Sequence, residues 1–156
     1  MRIVLQRVTQ SEVFCNGTRI GKIGQGMVVF LGVKEGDREE DAIWMANKCL
    51  NLRIFDDSEG RMNRSALEVG GQFLVVSQFT LYGDARKGRR PDFTHAMKPE
   101  GAERLYHIFL NTLKNSGLTV EAGAFREKMA VHLINDGPVT LVIESDSKSQ
   151  GGNPEF

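Results

Sequence analysis

Four consecutive residues, Ser77, Gln78, Phe79 and Thr80, set two hydroxyls and an amide side chain directly after the apolar run Phe73 to Val76. A buried strand that ends in small polar residues delivers hydroxyls and free backbone amides to a pocket, where chemistry can sit. Nucleophilic attack by one of its hydroxyls meets an obstacle. A hydroxyl needs an adjacent base, yet none of His95, His107 and His132 stands at a spacing that marks it as a partner, and no GxSxG elbow surrounds Ser77. From the residues alone, a serine esterase using one of those histidines and an ordinary polar strand end both stay open.

The other candidates each carry a plain structural reading beside a functional one. Gly137 and Pro138 divide two β-type apolar runs, Met129 to Ile134 and Val139 to Ile143, and predict a hairpin turn. Its X-Pro bond is expected to be trans, since only about 5% of such bonds are cis. Arg7 reads as a rim arginine in a surface salt bridge. Phe125 and Met129, four apart, read as a core contact. Arg86, Lys87, Arg89 and Arg90 crowd one short segment, either a solvated loop or a set of phosphate contacts that fix register without reading sequence. No metal and no cofactor are expected: the histidines are far apart, and HExxH and CxxC are absent. Gly21, Gly24 and Gly26 read as turn glycines, with no helix after them to make a phosphate-binding fingerprint.

The elements that must position these residues follow from periodicity. Arg2 to Phe14 alternates as a strand, Asn16-Gly17 is a two-residue turn signal, and Thr18 to Ile23 completes a hairpin. Met27 to Val33 is almost wholly apolar, as expected of a strand buried on both faces. Asp37 and Glu40 have the form of a capping box, and Ala42, Met45, Ala46, Cys49 and Leu50 then recur at helical spacing over Asp41 to Leu52. A short strand over Leu52 to Phe55, a polar turn, and a connector over Ser65 to Gly71 lead to a central strand, Gln72 to Leu81. Pro99 suits the first position of a second helix, Gly117 suits its end, and Ala102, Leu105, Ile108, Phe109 and Leu113 form its apolar face. Leu118 to Ala122 predicts one more strand, and the two last apolar runs predict two. Some seven strands, two long helices and no βαβ alternation imply an α+β fold with a mainly antiparallel, barrel-like sheet.

With 156 residues the chain holds one domain, which the periodic segments confine to residues 1–145, and the polar residues 146–156 predict a disordered tail. Twenty basic and twenty acidic side chains cancel, so any RNA contact must come from a local patch. Cys15 and Cys49 lie far apart, and MRIVLQRV lacks the apolar run of a secretory signal, which points to free thiols and the cytoplasm. No run approaches the ~20 apolar residues of a membrane-spanning helix.

SQFTLYGD, Ser77 to Asp84, and NDGPVT, Asn135 to Thr140, together resemble the signature pair of the D-aminoacyl-tRNA deacylases, and the similarity extends from Met1 to about Glu144. The resemblance implies a barrel-like homodimer that hydrolyses the ester of D-aminoacyl-tRNA, and of glycyl-tRNA, and rejects L-aminoacyl-tRNA. It implies that Ser77, Gln78, Phe79 and Thr80 hold the aminoacyl group, largely through backbone groups. It implies a cis Gly137-Pro138 unit that enters the partner's pocket as a chiral filter, paired with Arg7, and a pocket for the terminal adenosine at Phe125 and Met129. Arg86, Lys87, Arg89 and Arg90 are then placed to meet the tRNA backbone. A different class of reading is an RNA- or nucleotide-binding module that cleaves nothing.

Overall fold

The computed structural model describes residues 1–145; the predicted tail over 146–156 lies outside the described residues. In chain order the elements are β1 (Arg2–Cys15), β2 (Thr18–Ile23), β3 (Gly26–Gly32), α1 (Glu39–Asn51), β4 (Phe55–Asp56), β5 (Met62–Arg64), α2 (Ala66–Val69), β6 (Gln72–Ser77), a 3-10 turn (Phe79–Tyr82), α3 (Pro99–Lys114), β7 (Val120–Ala122) and β8 (Met129–Glu144). One six-stranded sheet runs β2-β1-β3-β6-β7, with β8 on the second edge of β1, and β4 pairs with β5 apart from it.

Strand β1 organises the sheet because it is long enough to serve several partners. Its first half, Arg2 to Val8, pairs with β3, its second half, Ser11 to Cys15, pairs with β2, and β8 follows it along almost its whole length. Register shifts near Arg7 to Gln10 bend it there, so Ile3 and Leu5 feed one core cluster and Val8 and Val13 another. The Asn16-Gly17 turn takes the positive φ angles, 50° and 78°, that the dipeptide predicts. Bending carries β2 over β6 and β7: a Cβ on Gly21 would lie 3.4 Å from Leu74 Cδ1 and from Glu121 Cβ. The sheet is thus nearly closed.

Strand β3 is buried on both faces, as its unbroken apolar run predicts. Met27, Val29 and Leu31 join Phe73 and Val75 beneath the helices, while Val28 joins Leu74 and Val76 inside the closed side. The predicted stripe of α1 is buried at Ala42, Met45, Ala46, Cys49 and Leu50, and α3 buries Leu105, Phe109 and Leu113. Each such large side chain contributes about 1.5–3 kcal/mol by leaving water. Burial pushes the Cys49 thiol up to about 12, so it packs as a small hydrophobe.

Several expectations are corrected. The sheet is mixed, because β3–β6 and β6–β7 are parallel. Helices α1 and α3 are the crossovers that return the chain to the same end of the sheet, and the small β4–β5 sheet and the long 78–98 segment hide that alternation in the sequence. A third, one-turn helix, α2, replaces the Ser65 to Gly71 connector; Ser65 and Glu68 cap it reciprocally, and that bond from the Ser65 backbone holds the Glu68 carboxyl below its usual range. At α1 the capping carboxylate is Asp41, which accepts from the Arg38 amide at 2.8 Å, whereas Asp37 accepts from the Met1 amine and the Lys34 amide. Of the three supposed turn glycines, Gly21 lies within β2 and Gly26 opens β3, leaving Gly24 between the strands.

Candidate functional site

The central strand ends earlier than predicted, at Ser77, opposite Leu31 of β3. Gln78 donates its amide to the Leu31 carbonyl at 2.8 Å and the chain then leaves the sheet into the 3-10 turn. The first amides of any helical turn have no acceptor within it. Here those of Phe79 and Thr80 donate to no acceptor among the described residues. The turn is held from both sides. Arg2 Nη1 donates to the Leu81 carbonyl at 2.6 Å and its guanidinium lies 4.9 Å from the centre of the Tyr82 ring, while the Gln78 side-chain amide donates to Thr80 Oγ1.

Ser77, Gln78 and Phe79 form one wall of a cavity of about 260 Å³. Tyr106 of α3, Phe125 and Met129 line the same cavity, as do Arg126 and Glu127. The Tyr106 ring lies 5.6 Å from Phe125, and its hydroxyl donates to the Val75 carbonyl at 3.0 Å. Burial raises its pKa and favours the neutral hydroxyl that donates to that carbonyl. Met129 settles over Gly123, where a Cβ would stand only 2.5 Å from its Sδ. Sequence reasoning missed Tyr106, although it stands four residues after Ala102 on the apolar face of its helix. Thr80 sits on the same turn but does not line the cavity, and neither does any of the three histidines. His132 lies on the outer face of the sheet against Phe14, with ring centres 5.2 Å apart. The serine esterase reading therefore lacks its base.

Gly137 and Pro138 do not make a hairpin. Residues on either side of them pair with the same strand, Asn135 with Val8 and Thr140 with Gln6, so the chain continues in one direction and four residues bulge opposite Arg7. The peptide bond between them is cis, and both are exposed and away from the cavity of their own chain. Asn135 closes the bulge by donating to the Arg7 and Val139 carbonyls. Arg7 is buried, not on a rim. It donates to the Ile54 carbonyl at 2.6 Å, pairs with Asp56 at 3.2 Å, and its Nε lies 2.9 Å from the Asp136 carboxylate, though off the line of a hydrogen bond. The guanidinium thus ties the bulge to β4.

The basic segment is an exposed loop whose base is closed by reciprocal amide bonds between Asp84 and Asp92, at 2.7 and 2.9 Å. The Arg86 side chain binds Asp84 and holds its carboxyl far below the usual range. Lys87, Arg89 and Arg90 form no ion pair among the described residues.

Comparison with known proteins places the chain in a family. A family model described as D-Tyr-tRNA(Tyr) deacylase matches residues 4–144. A D-aminoacyl-tRNA deacylase of Halothermothrix orenii is 53% identical over 148 residues, covering 95% of this chain and 99% of the relative. Its counterpart in Thermotoga petrophila is 50% identical, covering 93% and 97%. Among solved structures, a c-Myc DNA unwinding element binding protein superposes with a TM-score of 0.87 at 40% identity, covering 94% of this chain and all of the other. A probable eukaryotic D-amino acid tRNA deacylase, at 19% identity and a TM-score of 0.79, shares the fold. The family model and the curated relatives define a hydrolase acting on ester bonds. The chain belongs to the D-Tyr-tRNA(Tyr) deacylase family.

Proposed function

We propose that the protein hydrolyses the ester between a D-amino acid, or glycine, and the terminal ribose of tRNA, in the cytoplasm and as a homodimer. The observation that carries this reading is the unengaged amide of Phe79, a lining residue of the cavity that Phe125 and Met129 also line, with the unengaged Thr80 amide next along the same turn. Attack of water on the ester builds negative charge on its carbonyl oxygen, and two fixed amides stabilise that charge without reorganising; losing one such donor typically costs ~100- to 1,000-fold. Phe125 and Met129 offer the terminal adenine an aromatic face and a thioether. With no histidine in the cavity, the ribose 2′-hydroxyl, held beside the ester, is the group best placed to orient the water.

Chirality is a steric matter in this reading. Gly137 and Pro138 of a second copy, projecting on their exposed bulge, press carbonyls against the substrate α-carbon and leave no room for an L side chain, while a D side chain points away. Glycine has nothing to exclude. The exposed apolar side chains of β8, Ile134, Leu141 and Val142, favour pairing of copies on the strand that carries the bulge.

A second reading, a nucleic-acid-binding module without hydrolysis, draws on the unpaired cations of the loop and on the name of the 40% identical relative. One assay separates the two. Release of free amino acid is measured from D-alanyl-, glycyl- and L-alanyl-tRNA; we expect cleavage of the first two only. Similar rates on D- and L-alanyl-tRNA would remove the filter, and no release from any would favour the binding module.

A further inference from the structure

Beyond the cavity mouth, Phe79 and Phe93 form an aromatic pair that the deacylation chemistry does not use. Phe79 is 58% exposed and Phe93 37%, with ring centres 5.2 Å apart and planes at 69°. At that angle the rings meet edge to face and leave aromatic faces open to solvent. Phe79 belongs to the cavity wall, and Phe93 continues outward into a shallow depression shared with Arg90, Pro91 and Asp92. The closed base of the loop brings Phe93 onto Gly83, where a Cβ would stand 2.8 Å from its ring, so the pair is held in place.

The surroundings decide what such a surface meets. Lys87, Arg89 and Arg90 are exposed and form no ion pair among the described residues. The nearby carboxylates are engaged locally: Asp84 holds Arg86, and Asp92 accepts from the Thr94 amide and hydroxyl. An apolar surface ringed by uncompensated cations is unfavourable for a second copy carrying the same cations, and favourable for a polyanion with aromatic bases. Open aromatic faces plus backbone-tracking cations are the physical requirements for single-stranded nucleic acid.

We propose that Phe79 and Phe93, with Lys87, Arg89 and Arg90, form a stacking subsite for the unpaired nucleotides immediately 5′ of the terminal adenosine. This rests on the deacylase reading, which puts the terminal adenosine in the adjoining cavity and so leads the preceding nucleotides out past Phe79. The subsite reads no sequence; it sets the entry angle of the strand.

The test compares kcat/KM on a D-aminoacyl-tRNA with kcat/KM on the same D-amino acid esterified to adenosine alone, which ends inside the cavity. Phe93→Ala should lower the ratio of the two by about 5- to 150-fold, the range seen when one stacked base loses its platform. Phe93→Leu, which keeps the bulk against Gly83, should lower it as well. Replacing Lys87, Arg89 and Arg90 together by Gln should flatten the salt dependence on tRNA by about 0.7 for each phosphate these side chains had neutralised. An unchanged ratio, a parallel fall on both substrates, or dissociation of an oligomer by Phe93→Ala in sedimentation each overturns the subsite. If the unmodified protein cleaves neither ester, the deacylase reading has failed on its own. Fluorescence anisotropy with a labelled RNA tetramer ACCA then decides: weaker binding by Phe93→Leu upholds the subsite, and equal binding overturns it.

Discussion

Thr80 carries its hydroxyl outside the cavity lining, accepting from the Gln78 side chain, a place that suits a residue ordering its own turn. Its amide, in contrast, has no acceptor among the described residues and follows the lining residue Phe79 on the same turn. Substitution separates the two contributions, because Thr80→Ala removes the hydroxyl and keeps the amide. We expect Thr80→Ala to retain most of the deacylation rate, while tRNA ending in 2′-deoxyadenosine is cleaved far more slowly by the unmodified enzyme, as single-turnover kinetics would record. A dead Thr80→Ala variant with an acyl group trapped on Thr80 of the parent would establish direct nucleophilic attack instead. The same residue-scale logic applies to Met129, whose thioether lies where a side chain on Gly123 would stand.

At the scale of elements, the site depends on where β6 stops and how firmly it lies beside β3. Gly26 begins that parallel pairing. A Cβ there would fall 1.9 Å from the Gln72 carbonyl oxygen and 2.5 Å from its nitrogen, both main-chain atoms that cannot turn aside. Gly24, two residues earlier, has only the Gln72 side chain nearby, at 3.8 Å. Gly26→Ala should therefore cost at least about 2 kcal/mol in denaturant unfolding, the range of backbone strain in a packed sheet, and Gly24→Ala should stay near the parent. Equal effects of the two would mean that β3 and β6 pair more loosely than their register indicates.

For the whole molecule the question is how many copies make a working site. The outer face of β8 carries Ile134, 53% exposed, and Val142, 65% exposed, on either side of the bulge at Gly137 and Pro138. In the proposed homodimer these apolar groups are covered and each cavity receives the partner's bulge. Ile134→Glu combined with Val142→Glu should then sediment as a monomer and lose discrimination between D- and L-alanyl-tRNA, with an unchanged far-UV circular dichroism spectrum. A monomeric parent that discriminates fully would show that one chain suffices.

Residue order alone dictates whatever depends on neighbours along the chain. Alternation located β1, the Asn16-Gly17 dipeptide its hairpin, unbroken apolar residues the doubly buried β3, and 3.6-residue spacing both long helices with their buried stripes. The cavity residues Ser77, Gln78, Phe79, Phe125 and Met129 were legible as well, through motifs whose likeness to a family is local. Other features depend on partners distant in sequence, and these emerged only from the folded molecule. Apolar runs on either side of Gly137-Pro138 look the same whether the chain reverses or bulges, and pairing of both flanks with β1 selects the bulge. Arg7 is charged and near the N-terminus in either reading; the Ile54 carbonyl and the carboxylates of Asp56 and Asp136 bury it. The direction of β6 relative to β3 follows from the return of the chain through α1 to the same end of the sheet, and Tyr106 meets Phe125 only once α3 has docked. Local periodicity encodes which face of an element is apolar, whereas register and strand direction are set by long-range packing that no short window of sequence contains.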